Sequence, residues 1–501
     1  MRLEELAAGV PGARLESGGD TEIRRVVQDS RQAGQGDLFV AVRGMRIDGH
    51  AYAPDLARRG VAVAVEPGLE LPASAPVIRL DDTRAGLAEL AAALHGRPGR
   101  SLLVAGVTGT DGKSTVTHLA AHLMQSAGIP TGYLSTVGLD RGRGPEPNES
   151  GLSTGEAPEV QEAMAEMVAA GRRAVVLEAT SHALRQGRVA ACEFDVAAYT
   201  YVGHDHLDYH SDWQDYLEAK ALLIELCRSG WDKGVAKTAV LNRDDASFAP
   251  LAERAIDRRW AYSLGGEADI WAADLRSSAQ GSSFTLGHGA QTVPATLPLP
   301  ARFNVANALC AAGIGLALGL DLEQVAAGLA SFPGISGRLE RVDLGQPFAV
   351  YVDYAHGAGS LGSTLAELRP LTEGRLLTVF GATARSDHDR PGMGRAAAAG
   401  ADWFLISTDD PVDEDPAVIA ADVEAGALAM GRTRGRDFEI ELDRGVAIAR
   451  ILEAARPGDV VLLAGKGHEH SMMLKGRSRV PWDERAMAEA GLRHLGWTGH
   501  R

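Results

Sequence analysis

Short, nearly unbroken apolar runs alternate with longer amphipathic stretches along this chain. The runs fall at residues 38–42, 61–65, 102–105, 174–178, 194–200, 238–241, 349–353, 376–380, 403–407 and 460–464. Lacking the in–out alternation of a half-exposed strand, they predict strands buried on both faces, as in parallel sheets. Helical spacing recurs between them, at 84–94, 115–127, 216–227 and 305–318. Strand and helix in alternation predict an α/β fold with mostly parallel sheets, the last four runs forming a Rossmann-like unit. Gly96-Arg97-Pro98-Gly99 breaks the pattern once, and Pro333-Gly334 with Gly337 breaks it again. A chain of 501 residues is too long for one hydrophobic core. Three domains are therefore expected, at 1–98, 99–335 and 336–501.

The run at 102–105 leads into Val107-Thr108-Gly109-Thr110-Asp111-Gly112-Lys113-Ser114-Thr115, and a helical pattern follows. Strand, glycine loop and helix are the setting of a phosphate-binding loop. Glycines let backbone N–H groups approach phosphates, and the helix N-terminus adds partial positive charge. Lys113 can reach a nucleotide's outer phosphates, and the Ser114 hydroxyl can hold Mg²⁺. The generic Gly-x-x-x-x-Gly-Lys-Ser spacing is not met: Val107 stands at its first glycine, and glycines fall at Gly106 and Gly109. The central domain reads as a P-loop ATPase; the plainer alternative is a glycine-rich turn with a chance Lys-Ser.

Composition narrows the partners. With 66 acidic and 50 basic residues the net charge is −16, which argues against a general binder of nucleic acid or anionic membrane. The three cysteines, Cys192, Cys227 and Cys310, make no disulfide framework and lack zinc-ligand spacing. The N-terminus has no signal-peptide core, and no apolar run is long enough to span a bilayer. A cytoplasmic protein without membrane insertion is expected.

Further polar groups stand at strand ends, where α/β sheets place ligand-binding residues. Glu178 ends one run and precedes Ala179-Thr180-Ser181-His182; it is a candidate Mg²⁺ ligand or a solvated residue beside a helix cap. His204-Asp205-His206-Leu207-Asp208-Tyr209-His210 follows another run. It fits a dinuclear-metal hydrolase pattern until Tyr209 takes the place of the final histidine. Asn304 opens a helical pattern. Asp353-Tyr354-Ala355-His356 and Gly465-Lys466-Gly467-His468-Glu469 end the first and last runs of the C-terminal region, which favours a binding crevice there.

Taken together these segments resemble the Mur ligase family, most of all its UDP-N-acetylmuramoyl-tripeptide synthetase (MurE) class. Asp29-Ser30-Arg31, Gly109–Thr115, Glu156-Ala157-Pro158, Ser181-His182-Ala183-Leu184, Asp205–His210, Ala219-Lys220, Arg302-Phe303-Asn304, Gly337-Arg338-Leu339-Glu340-Arg341 and the two C-terminal motifs occur in the family's order and spacing. The resemblance implies a monomer acting on small-molecule substrates, with a UDP-MurNAc-binding N-terminal domain, a central ATPase and a C-terminal domain that binds the added amino acid. It implies ATP on Gly109, Thr110, Asp111, Gly112, Lys113, Ser114 and Thr115, with Asn304, Arg338, Asp353 and His356 also contacting nucleotide. Lys113, Glu178, His206 and Lys220 would be catalytic. Ser114, Glu178, His206 and Lys220, carbamylated by CO₂ to N6-carboxylysine, would serve magnesium. Ser30, Ser153, Thr154, Thr180, Gln186 and Arg188 would meet UDP-MurNAc-L-Ala-D-Glu. Arg390, Asp409, Asp410, Gly465 and Glu469 would meet the amino acid, joined through an acyl phosphate on D-glutamate.

Ser153-Thr154-Gly155 stands where the family has Thr-Thr-Pro, and Thr180 replaces a serine; both keep hydroxyls. Tyr201 and His204 also depart from the pattern, as does the loop 381–390. The diaminopimelate-adding class resembles Asp-Asn-Pro-Arg where this chain has Asp409-Asp410-Pro411-Val412. Val412 cannot pair with a distal carboxylate, and the acidic run 409–415 suits a cationic side chain. L-Lysine or L-ornithine is therefore expected, with meso-diaminopimelate, or a folylpolyglutamate synthase-like ligation, as the alternative.

Overall fold

The computed structural model describes residues 1–44, 47–203, 209–384 and 389–499. The chain forms two compact units. The first takes 1–272, 286–293 and 306–328; the second takes 273–285, 294–305 and 329–501.

The first unit holds a five-stranded sheet and much of a larger one. Three strands of the smaller sheet, Asp37–Val40, Ala62–Val65 and Val77–Arg79, pair in parallel and are almost wholly buried. Parallel pairing with cover on both faces is what their unbroken Val, Ala and Phe content requires. The larger sheet centres on Leu103–Thr108, which lies between Ala174–Glu178 and Val196–Tyr199, all parallel. Thr238–Asn242 and Arg258–Ser263 extend it on one side. Leu177, Phe194, Tyr199 and Leu223 are among the core residues around these strands. The helix after the glycine loop spans Lys113–Ser126 and begins directly after Gly112, two residues earlier than its apolar spacing suggests.

The second unit contains a six-stranded sheet whose parallel strands Ala349–Asp353, Val460–Ala464, Leu376–Ala382 and Trp403–Thr408 are neighbours in that order. These are the four C-terminal runs, and helices cover both faces. Their carboxyl ends carry Asp353, Gly465 and Asp409. Two features were not anticipated. One is a ribbon of three successive strands, Ile270–Ser278, Gly281–His288 and Gln291–Leu297, whose residues are divided between the two units and whose exposed and buried positions alternate. The other is a hairpin, Ser471–Met473 against Arg479–Pro481. No helix among the described residues is long and apolar enough to cross a membrane.

Candidate functional site

In the first unit the glycine loop is bound tightly to its neighbours. Gly109 has φ +150 and Gly112 φ +85. A Cβ on Gly109 would lie 1.8 Å from Thr200 Oγ1, and one on Gly112 2.3 Å from Asn307 Oδ1. Only glycine fits either position. Thr200 Oγ1 donates to the Asp111 carbonyl at 2.6 Å, and Thr110 N–H donates to the Tyr201 carbonyl at 2.6 Å. Tyr201, a departure from the family pattern, thus contributes its backbone to the loop.

Two lysines converge on this loop. Lys113 Nζ donates to the carbonyls of Thr110 at 2.8 Å and Gly109 at 3.2 Å. Lys220 Nζ, on the helix Trp213–Ser229, donates to the same Gly109 carbonyl at 2.7 Å and sits 4.2 Å from the Tyr216 ring centre. Lys220 is only 1% exposed, so it is not the surface lysine that its helical context alone suggests. Ser114 and Thr115 are buried at the helix start.

Glu178, buried at the end of its strand, accepts from Thr136 N–H at 3.0 Å and Thr136 Oγ1 at 2.9 Å. Thr136 has no place in the motifs and was missed. Around Glu178 runs a continuous polar network: Thr154 Oγ1 donates to the Glu178 carbonyl, Thr180 N–H donates to Thr154 Oγ1, and Arg188 Nη1 donates to the Thr154 carbonyl. Arg188 also donates to Gln186 Oε1 and pairs with Glu156 at 3.0 Å. Thr154, Thr180, Gln186 and Arg188 are therefore brought together, with Ser153 adjoining in the chain. Ser30 sits in the turn where Arg31 folds back on Asp29. His206 falls outside the described residues, as does His204. His210, from the same motif, is buried, with Nε2 3.1 Å from Ser181 Oγ and Nδ1 3.3 Å from Asp215 Oδ2.

In the second unit the carboxyl ends of the strands gather most of the remaining candidates. Asp353 accepts from the N–H groups of Leu339 at 2.7 Å and Ala355 at 2.9 Å. The Arg338 guanidinium lies 4.7 Å over the Tyr354 ring, which also packs on His356 and His468. Gly337 and Gly467 permit this closeness: a Cβ on Gly337 would fall 2.2 Å from His468 N, and one on Gly467 2.7 Å from Tyr354 Cβ. Asn304 stands at the start of the helix Arg302–Ala317, buried, with Nδ2 donating to the Pro300 carbonyl at 2.8 Å.

Beside this cluster opens a cavity of about 640 Å³ whose lining includes Asp409, Asp410, Glu414, Glu469, Gly465 and Val412. Lys466, fully buried, lies beneath the acids: its Nζ is 2.5 Å from Glu469, 2.8 Å from Asp410 and 3.6 Å from Asp409. Among the described residues Asp409, Asp410 and Glu469 are the one group of three that could share a cation, and the ammonium already lies close to all three. Burial opposes the Lys466 charge, but Asp409, Glu469 and Asp410 outweigh it and hold the ammonium well above the ordinary lysine range. Burial likewise pushes the Glu469 carboxyl up; Lys466 pulls it back, and Asp409 and Asp410 push it further. Arg444 and Glu484, both with fully buried side chains, form a second ion pair at 2.6 Å, and Arg444 also donates to the Ala464 carbonyl. Arg390 is engaged by Glu414 at 2.6 Å and Asp422 at 3.0 Å.

Comparison with known proteins decides what this arrangement is. Residues 22–95, 107–315 and 337–467 match, in turn, the family models described as Mur ligase family, catalytic domain; Mur ligase middle domain; and Mur ligase, glutamate ligase domain. A UDP-N-acetylmuramyl-tripeptide synthetase from Roseiflexus sp. is 41% identical over 489 residues, 95% of this chain and 96% of its own. The chain belongs to the Mur ligase family. It is an ATP-dependent ligase of the tripeptide-synthetase class. A relative from Gloeobacter violaceus, named UDP-N-acetylmuramoyl-L-alanyl-D-glutamate–2,6-diaminopimelate ligase, is also 41% identical, across 98% of both chains. A solved structure of a ligase of that name superposes with a TM-score of 0.72 at 28% identity, covering 99% of this chain and all of that one. The glycine loop lies at the start of the stretch that matches the Mur ligase middle domain, and the acidic cavity lies largely in the stretch that matches the glutamate ligase domain.

Proposed function

We propose that this Mur ligase adds a diamino acid to the D-glutamate side-chain carboxylate of UDP-MurNAc-L-Ala-D-Glu, in the cytoplasm, as a step of peptidoglycan precursor synthesis. The observation that carries the reading is the acidic cavity at the strand ends of the second unit. Asp409, Asp410 and Glu469 face a site where a second amino group is favoured by charge.

The chemistry runs in two displacements. A carboxylate oxygen of D-glutamate attacks the γ-phosphorus of ATP, and ADP leaves. The amine nitrogen then attacks the acyl carbon, the bond from that carbon to the phosphate oxygen breaks, and nitrogen gives up a proton. Lys113 stabilises charge on the transferred phosphoryl group, an electrostatic task. The donor set fits magnesium: Glu178 is a buried carboxylate held in place by Thr136, and Ser114 offers a hydroxyl at the loop. Glu178, Ser114, His206 and Lys220 carrying a CO₂-derived carbamate would hold the ion, which when bound neutralises phosphate charge. Thr154, Thr180, Gln186 and Arg188, with Ser153 and Ser30, bind the UDP-sugar dipeptide. Asn304, Arg338, Asp353 and His356 serve the nucleotide. Arg390 orders the cavity wall through Glu414, beside Asp409, Asp410, Gly465 and Glu469. Residues 1–98, 99–335 and 336–501 divide these duties as UDP-sugar, ATP and amino-acid domains.

An acidic cavity suits lysine, ornithine and meso-diaminopimelate alike, since all carry a second amino group. Val412 favours lysine or ornithine. The names of the relatives favour meso-diaminopimelate, and that reading has the better support. Amide formation measured with each amino acid in turn tests the proposal. A diamino acid is expected to exceed L-alanine at least tenfold in kcat/KM; equal use of L-alanine would overturn it.

A further inference from the structure

A diaminodicarboxylic acid presents a distal zwitterion, so its far end needs both an acid and a base. The acids of the cavity are plain, whereas the described cations around them are engaged. Arg390 pairs with Glu414 and Asp422. Lys466 lies among Asp409, Asp410 and Glu469. Arg444 pairs with Glu484. Among the described residues, the one guanidinium that lines the cavity is that of Arg477. It makes no hydrogen bond or ion pair with any described residue.

Arg477 lies at the tip of the hairpin Ser471–Met473 and Arg479–Pro481. That hairpin is laced to the loop bearing Val412. Met473 N–H donates to Asp410 Oδ1 at 2.9 Å, Val412 N–H to the Met473 carbonyl at 3.2 Å, and Gly476 N–H to Asp413 Oδ1 at 2.9 Å. Val412 and Arg477 thus stand on one rim of one cavity.

Building on the ligase reading above, we propose that Arg477 is the specificity-determining cation of this site, pairing with the distal carboxylate of meso-diaminopimelate while the acidic wall takes the distal ammonium. The cation that position 412 lacks is supplied from the neighbouring hairpin. A planar guanidinium suits a carboxylate because it can donate two parallel hydrogen bonds.

Steady-state ligation by the wild type, Arg477→Gln, Arg477→Lys and the double variant Val412→Arg/Arg477→Gln tests this, with meso-diaminopimelate and L-lysine as the varied substrates. The wild type is expected to prefer meso-diaminopimelate. Arg477→Gln should raise its KM roughly 10–100-fold, the scale of a lost charge-assisted pair, with kcat and the L-lysine KM unchanged. Arg477→Lys should fall between, and the double variant should recover part of the loss. An unchanged KM for meso-diaminopimelate in Arg477→Gln, or an equal rise for both amino acids, overturns the proposal. A wild type that uses L-lysine and ignores meso-diaminopimelate overturns it too but leaves the ligase reading standing. Ligation of neither amino acid defeats both.

Discussion

Lys113 and Lys220 meet at a single carbonyl oxygen, that of Gly109. Both side chains lie within reach of the loop, and a short motion of Lys113 off the Thr110 and Gly109 carbonyls frees it for a phosphate. Lys113→Ala is expected to lower kcat on the order of 10²–10³-fold, as loss of one preorganised charge does elsewhere, with little change in thermal stability; kcat within a few-fold of wild type would refute the assigned role. The Arg444–Glu484 pair makes a different kind of prediction. Removing one partner leaves a buried charge alone, a change costing about 3–5 kcal/mol. Arg444→Met should therefore sharply lower the denaturant midpoint, and Arg444→Met/Glu484→Leu should recover much of the loss. Glu469 connects residue chemistry to pH. Its carboxyl sits above the ordinary range, so it protonates earlier than a free glutamate as pH falls. The cavity then loses a negative charge, and KM for the diamino acid should rise on the acid side, at a higher pH than an ordinary carboxylate would give. Glu469→Gln should flatten that part of the profile, as initial rates across the acid range will show.

At the scale of elements, the glycine loop and the parallel strands were the legible part. Their apolar runs have one structural solution, burial between helices, and Leu103–Thr108, Ala174–Glu178 and Val460–Ala464 occupy it. The loop's dependence on glycine is sharp: Gly109→Ala places a methyl against Thr200 Oγ1 and should weaken nucleotide binding at least tenfold by titration calorimetry. Elements with mixed polarity were not legible. The ribbon from Ile270 to Leu297 exposes alternate side chains and has no run to mark it. The tip 474–478 looks like any polar turn, and only the hairpin's attachment to Asp410, Val412 and Asp413 gives Arg477 a position. Thr136 was hidden for the same reason: its relation to Glu178 spans 42 residues of chain and exists only once the sheet has formed. Arg390 shows the converse, a residue found by motif whose guanidinium turns out to be held by Glu414 and Asp422.

At the scale of the whole molecule, each unit has its own hydrophobic core, and each carries part of the candidate site. The first holds the glycine loop, Glu178 and Lys220; the second holds Arg338, Asp353 and the acidic cavity. The net charge of −16 fits a protein that meets its anionic substrates through local basic groups rather than a basic surface. The claim on which the account rests is that a carboxylate is activated by phosphoryl transfer before the amine attacks, and isotope transfer tests it most directly. UDP-MurNAc-L-Ala-D-Glu labelled with ¹⁸O in the D-glutamate side-chain carboxylate would be ligated to a diamino acid with unlabelled ATP, and the phosphate released analysed by mass. The account predicts one ¹⁸O in each phosphate formed, and no phosphate without the dipeptide substrate. Amide product accompanied by unlabelled phosphate would contradict it.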